Sequence, residues 1–166
     1  MAERPPFDPY AILSALDRRR VVYVVIGSFA RVVRGAEELP DGLDIVPSLR
    51  AENLRRLEEA LADLEAVGVG GARISLTETH DALIHTTSPA GELKIVPEPD
   101  GTRGYEDLRR AATREPLGRG LRPSVASTGD LARMLAALGR DEDRPKLQAL
   151  RQVAELERSL GPELGL

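Results

Sequence analysis

Residues 21–47 contain the feature that most constrains how this chain folds: two short apolar runs separated by a Gly-Ser pair, a helical segment and a proline. The first run, residues 21–26, is rich in β-branched side chains and apolar on both faces of an extended chain. That pattern predicts a strand buried on both sides, as in the centre of an α/β sheet. The second run, residues 43–46, carries Asp44 between apolar neighbours. A carboxylate in a buried strand calls for a partner, so Asp44 is a candidate site residue. The structural alternative is that Asp44 ends the strand or caps a neighbouring turn.

Gly27 and Ser28 follow the first run directly. The missing Cβ of a glycine lets backbone N–H groups approach a phosphate, and a helix N-terminus just beyond favours negative charge. The Ser28 hydroxyl could add a further contact. A tight strand-to-helix turn is the structural alternative for this pair.

Arg31 and Arg34 come next, three residues apart on one face of the predicted helix. Their reach suits contact with a phosphate at the same turn. An ion pair with Glu37 or Glu38 fits the spacing equally well, so both interpretations stay open.

The rest of the chain alternates helical and extended patterns. The predicted elements are a helix at 9–19, strands at 21–26 and 43–46, a helix capped by Ser48, strands at 73–76, 82–87 and 92–97, a helix at 105–113, a strand at 124–126, a helix capped by Ser127 and Asp130, and a helix at 143–160. A turn at 88–91 makes its two flanking strands an antiparallel hairpin. The fold class is therefore α/β with α+β character: a mixed, mostly buried sheet flanked by helices, with further helices at the C-terminal end.

Composition limits the class of protein. The 166 residues, 42% hydrophobic and 30% charged, predict one domain over 1–166, with a core at about 20–126 and a helical part at 127–160. A net charge of -4 gives no global attraction for nucleic acid, and 3% aromatic residues offer few stacking platforms. The absence of cysteine excludes thiol catalysis and cysteine-based zinc sites. No signal-peptide or membrane-spanning pattern is present, which makes a cytoplasmic location the expectation.

The order of Gly27-Ser28 and Asp44 resembles that of the minimal nucleotidyltransferases. In that superfamily a Gly-Ser pair lies near the nucleotide phosphates, and an Asp-x-Asp pair on the next strand holds Mg²⁺. Residues 41–44 read Asp-Gly-Leu-Asp here, so Gly42 stands where the resemblance implies the first metal-binding Asp. Asp44 is then the metal-ligand candidate that remains. Asp41, three residues earlier, points to the opposite face if the strand is regular.

Two later blocks extend the resemblance toward the abortive-infection and toxin-antitoxin type of nucleotidyltransferase. Residues 91–108 look like the later strand and helix of that type, in which a third Asp normally occupies the place of Lys94. Residues 127–144 are similar to a segment that usually carries a lysine near the nucleotide, and Leu135 stands there. Unit charges about 4 Å apart interact by roughly 4 kcal/mol at an effective dielectric near 20. An ammonium at position 94 would therefore repel a divalent cation.

The resemblance implies a nucleotidyltransferase-fold protein with incomplete metal-binding carboxylates and weak or absent catalysis. Its expected ligands are a nucleoside triphosphate, with Mg²⁺ in doubt, and its expected partners include a cognate toxin or antitoxin protein. An intact site would transfer a nucleoside monophosphate to a protein or tRNA acceptor. One alternative keeps that activity through Asp41, Asp44 and either Glu92 or Glu98. Another is a non-catalytic interaction scaffold.

Two further hypotheses concern single side chains. Lys94 could pair with Asp44 across the former metal position and neutralise it. His80 and His85, five residues apart, could form a metal site, but solvated or core histidines are the commoner outcome and the preferred interpretation.

Overall fold

The computed structural model describes residues 6–76 and 83–164, with side chains through residue 160. The helices are α1 (Pro9–Arg18), α2 (Gly27–Val33), α3 (Ala51–Asp63), α4 (Tyr105–Leu108), α5 (Thr128–Leu138) and α6 (Arg144–Leu164), with 3-10 turns at Val69–Gly71 and Asp141–Asp143. The strands are β1 (Tyr23–Ile26), β2 (Gly42–Pro47), β3 (Ile84–Ser88), β4 (Gly91–Ile95), β5 (Thr113–Arg114) and β6 (Ser124–Val125).

The strands form one six-stranded mixed sheet in the order β3-β4-β2-β1-β6-β5. β1 is antiparallel to β2 and parallel to β6, while β2 is parallel to β4. β3 and β4 form the antiparallel hairpin that the turn at 88–91 predicts. The expected mixed sheet flanked by helices is thus confirmed, and β1, β2 and β4 lie in its interior.

The apolar runs of the sequence supply the core. Val24 and Val25 on β1 and Leu43 and Ile45 on β2 are fully buried, as expected for strands covered on both faces. Helix α1 adds Ile12, Leu13 and Leu16, and α3 adds Leu54, Leu57 and Leu61, from the faces that the helical periodicity predicts. The buried hydrophobic residues form one connected cluster.

Several predicted boundaries are wrong. Residues 73–76 form no strand, and the predicted helix at 105–113 is the single turn of α4 followed by β5. Helix α6 continues past residue 160 to Leu164, so Gly161 and Pro162 do not end it. Leu156 on α6 is 60% exposed. Glycine and proline residues therefore determine where a helix ends less firmly than packing contacts do.

Ser48 does not cap α3, whose N-cap is Arg50. Ser48 is buried instead, and its carbonyl oxygen accepts a hydrogen bond of 2.8 Å from the Asn53 amide. The same amide donates to the Val22 carbonyl, and its oxygen accepts from the Val22 N–H. Asn53 therefore satisfies backbone groups at the entry to β1 and the exit from β2, a use that a capping pattern does not reveal.

The C-terminal helices α5 and α6 pack against each other, and α5 also contacts α2. Ser127 caps α5 as predicted, with its Oγ accepting from the Asp130 N–H at 3.1 Å. Gly139 ends α5 in the left-handed conformation. Leu150 on α6 is fully buried. None of the helices in the described parts of the chain is long and apolar enough to cross a membrane.

Candidate functional site

A cleft of about 970 Å³ lies between the β1, β2 and β4 side of the sheet and helix α5. Its lining includes nearly every residue that the sequence singles out: Gly27, Ser28, Arg31, Asp41, Gly42, Asp44, Lys94 and Leu135. Glu92 and Glu98, named in the alternative catalytic hypothesis, also border it. Blocks far apart in sequence therefore meet in one cavity.

The strand register sets a row of three polar side chains across the cleft floor. Asp44 on β2 lies opposite Lys94 on β4, and Lys94 lies opposite His85 on β3. Residues paired in this way project from the same face of a sheet. Burial raises the pKa of Asp44, and the charges of Lys94 and Arg31 lower it only in part. The carboxylate is thus held near positive charge without being fully compensated.

The direct salt bridge expected between Asp44 and Lys94 is not formed. Within residues 6–76 and 83–164, no ion pair of 4.0 Å or less joins either side chain to another. Lys94 still influences Asp44 through space, as the downward effect on the pKa of the carboxyl shows. Both groups are half-buried and face the cleft, which leaves them open to a ligand.

Gly27 and Asp44 are tightly matched. Gly27 begins α2 with a φ of +75°, a conformation that favours glycine. A Cβ placed there would lie 2.9 Å from Asp44 Cγ and closer still to Oδ2. The glycine therefore makes the room in which the Asp44 carboxylate sits. Helix α2 is only seven residues long, so its dipole adds little to this corner.

Gly42 lies on the same face of β2 as Asp44, two residues earlier. It is buried opposite Glu92, and a Cβ on it would approach the Glu92 carbonyl oxygen to 3.1 Å. Asp41 precedes the strand, so strand alternation does not fix its direction, and the expectation for a regular strand does not apply to it. It borders the cleft, and its charge raises the pKa of Asp44.

The side chains present do not fit the magnesium site that the resemblance implies. In the described ranges, no group of three or more His, Asp or Glu side chains is placed to hold a metal ion. Asp44 has Lys94, a cation, as its neighbour in the register, where a further oxygen ligand would be needed. His85 borders the cleft, whereas His80 lies outside the described residues.

Arg31 lines the cleft but is engaged by an acid. Its Nε donates to Glu38 Oε2 at 2.7 Å and its Nη2 to Oε1 at 3.0 Å, in a half-buried bidentate pair. Lys146 Nζ lies 4.0 Å from the same carboxylate. Of the two interpretations open for Arg31, the ion pair is the one that the structure contains.

Arg34 does not line the cleft, so its prediction as a nucleotide-binding residue is not supported by its position. Its guanidinium donates to the carbonyls of Val125 and Ala126, to the Thr113 hydroxyl and to Glu115 Oε1, at distances of 2.7 to 3.0 Å. Arg34 ties α2 to β5 and β6.

The helical side of the cleft is apolar, a feature that the sequence reasoning missed. Leu131, Met134, Leu135 and Leu138 of α5 all border it. Leu39, from the loop after α2, joins them and is 95% exposed. His85 was also undervalued, although a two-residue turn pairing Ser88 with Gly91 fixes the register that places His85 beside Lys94.

No protein-family model matches the chain, and no curated protein sequence matches it significantly. Solved structures do. The solution structure of the antibiotic-resistance factor ANT(2'')-Ia is similar with a TM-score of 0.57 and 17% identity, over 93% of this chain and 83% of that one. The crystal structure of ANT(2'')-Ia with adenylyl-2''-tobramycin gives a TM-score of 0.56 and 16% identity, over 93% and 88%.

A Thermotoga maritima protein for which nucleotidyltransferase activity has been suggested is similar with a TM-score of 0.55 and 18% identity. The match covers 86% of this chain and 89% of that protein. At such low identity these likenesses establish the fold and leave the chemistry of this cleft to its own residues.

Proposed function

We propose that this chain, which has the nucleotidyltransferase fold, binds a nucleoside triphosphate in the cleft without Mg²⁺ and transfers its nucleoside monophosphate group weakly or not at all. The observation that carries the proposal is the in-register pair of Asp44 and Lys94, with Gly42 two residues before Asp44 on the same face. Two-metal phosphoryl chemistry needs several oxygen ligands that converge on the metals. Here one carboxylate faces an ammonium.

Lys94 supports binding as much as it argues against catalysis. A triphosphate needs positive charge, and a lysine can supply it as a compact point charge where the resemblance implies a metal. Lys94 is half-buried, lines the cleft and makes no ion pair among the described residues. A cleft of about 970 Å³ is at the upper end of the size typical for small-molecule sites, so space for a nucleotide is retained.

Calorimetric titration with ATP, GTP, CTP and UTP, in EDTA and then in Mg²⁺, tests the binding. We expect binding in EDTA that Mg²⁺ does not strengthen. Lys94→Met should weaken it about tenfold, because a charge-assisted contact to phosphate is worth roughly 1.5 to 3 kcal/mol. Arg55→Met, which removes an exposed cation on α3 outside the cleft, is the matched control. Absence of binding in both buffers overturns the proposal.

Transfer is tested separately with nucleoside triphosphates labelled at the α-phosphate, using the protein itself and bulk tRNA as acceptors. We expect no label above that of an Asp44→Asn control. Mg²⁺-dependent labelling that disappears in Asp44→Asn would support the alternative in which Asp41, Asp44 and a nearby glutamate keep the site active.

A second function, as the protein-binding member of a toxin-antitoxin pair, is favoured by one observation. Leu156 and Leu160 on α6 are 60% and 50% exposed at a spacing of four residues, on one helical face. Exposed apolar stripes of this kind mark protein contacts. Co-expression with the product of the neighbouring gene, followed by size-exclusion chromatography, should give a complex that Leu156→Glu disrupts. Separate elution of the two proteins would contradict this function.

A further inference from the structure

One wall of the cleft is built from the apolar face of α5. Leu131, Met134, Leu135 and Leu138 follow one another at spacings of three, one and three residues, the pattern of a single helical face, and all four border the cleft. They share the lining of the cleft with Asp44, Lys94 and His85. The cleft thus has a charged floor and an apolar side.

Two leucines at the mouth of the cleft are exposed. Leu39 is 95% exposed on the loop after α2, and Leu138 is 42% exposed at the end of α5. Both border the same cavity. Apolar side chains of this size gain free energy when an apolar surface covers them. Leu131, Met134 and Leu135 are only 2 to 9% exposed, so Leu39 and Leu138 supply most of the apolar surface that a bound ring could cover.

Charged side chains on the helical side of the cleft are already engaged with the protein. Arg140 Nε donates to Asp143 Oδ2 at 2.6 Å, and Lys146 Nζ lies 4.0 Å from Glu38 Oε1. A side chain held in such a pair is poorly placed to read the edge of a base. The exposed carboxylates of Glu98 and Asp100, on the loop after β4, also border the cleft and are the groups that could accept from an exocyclic amine.

We infer that the nucleobase of the bound nucleotide packs on the α5 wall and is selected by its apolar area, not by the hydrogen-bonding groups on its edge. The inference rests on the proposed nucleotide binding, with the phosphates at Lys94. Purines cover more aliphatic surface than pyrimidines, so they bind more tightly. Adenine, guanine and hypoxanthine differ only in edge groups, so they bind alike.

Calorimetry in EDTA with ATP, GTP, ITP, CTP and UTP tests the ranking. We expect the three purine nucleotides to bind within about twofold of one another and about fivefold more tightly than CTP and UTP, the latter factor following from roughly 25 cal/mol per Å² of extra apolar contact. ITP lacks the exocyclic amine of ATP, so equal affinities also exclude recognition by Glu98 or Asp100. A preference that separates ITP from ATP, or that favours a pyrimidine, overturns the inference and leaves nucleotide binding standing.

Leu138→Ala localises the effect. Leu138 is exposed, so its truncation leaves the core intact. We expect the purine preference to fall at least twofold, with UTP affinity less affected, since the larger ring loses more contact. Leu160→Ala, which truncates a similarly exposed leucine on α6 outside the cleft, should leave all five affinities unchanged. Equal effects of the two variants overturn the assignment to α5, and failure of every nucleotide to bind overturns it together with the proposed function.

Discussion

The charged side chains at helix α2 and those on the strands of the cleft floor differ in whether the protein itself pairs them. Arg31 on α2 and Arg34 directly after this helix are both engaged by protein acceptors: Arg31 by Glu38, and Arg34 by a carboxylate, a hydroxyl and two carbonyls. Lys94 and Asp44 lie side by side on the sheet, and neither makes an ion pair within the described residues.

The difference separates charges that stabilise the fold from charges that are available to a ligand. Arg31 donates two hydrogen bonds and Arg34 donates four, so neither guanidinium can be withdrawn without taking donors from its partners. The half-buried ammonium of Lys94, beside a carboxylate that is only partly compensated, can contact a phosphate without breaking an ion pair of the fold. Substitutions in the first region should therefore lower stability strongly, whereas substitutions in the second should change binding with only a small effect on stability.

Arg34→Met provides the largest expected effect. The arginine side chain is 12% exposed. Its loss removes a donor from two backbone carbonyls and leaves the Glu115 carboxylate with the Thr113 hydroxyl but without its cation. We expect the free energy of unfolding to fall by about 3 kcal/mol, measured by urea denaturation. Arg55→Met, at an ion pair whose arginine is 65% exposed, should cost less than about 0.5 kcal/mol. Similar losses of unfolding free energy in the two variants would contradict the conclusion that the paired arginines at α2 stabilise the fold.

Gly27→Ala should lower the free energy of unfolding by about 2 to 3 kcal/mol, because it combines an unfavourable backbone conformation with a clash against Asp44. Gly118→Ala separates these causes: Gly118 also has a positive φ, of +89°, but no atom lies within 4 Å of the position of its added Cβ. Gly118→Ala should lower the free energy of unfolding by only about 1 kcal/mol. The double variant Gly27→Ala with Asp44→Gly should recover the difference, and no recovery would show that the clash is not with the carboxylate.

Asp44→Asn gives the smallest expected effect and the one most sensitive to pH. Burial raises the native pKa of Asp44 above its ordinary value of about 3.8, so the native state holds a proton there more readily than the unfolded chain does. The ionised carboxylate therefore lowers stability above the native pKa. Asp44→Asn should raise the urea midpoint at neutral pH, and the gain should shrink as the pH falls through the native pKa. A variant less stable than the wild type at neutral pH would mean that Lys94 over-compensates the carboxylate.

The scaffold was predictable because it follows from local patterns. The β-branched run of β1, the stripe of α3 and the turn at 88–91 each encode their structure within a few residues, and the order of glycines and acids is specific enough to indicate the fold. The end of α6 was not predictable, because a proline near the end of a helix does not by itself determine the last helical residue, which also depends on packing.

The site was predictable in its members more than in their partners. Gly27, Asp44 and Lys94 were identified from their order along the chain, yet whether Arg31 or Arg34 faces the cleft depends on contacts with residues up to 92 positions away. The apolar side of the cleft could not be predicted, since a helical stripe such as that of α5 has the same sequence pattern whether it faces a filled interior or a cleft. Long-range pairing, which periodicity does not contain, decides such questions.

The fit of Gly27 against Asp44 has a consequence for how this chain can vary through descent. A side chain at position 27 needs the volume that the carboxylate occupies, so neither position can change freely while the other is kept. In a set of related sequences the two should covary: glycine at 27 wherever 44 is acidic, and other residues at 27 only where 44 has become small. Substitutions at these two positions, 17 residues apart, should therefore occur together.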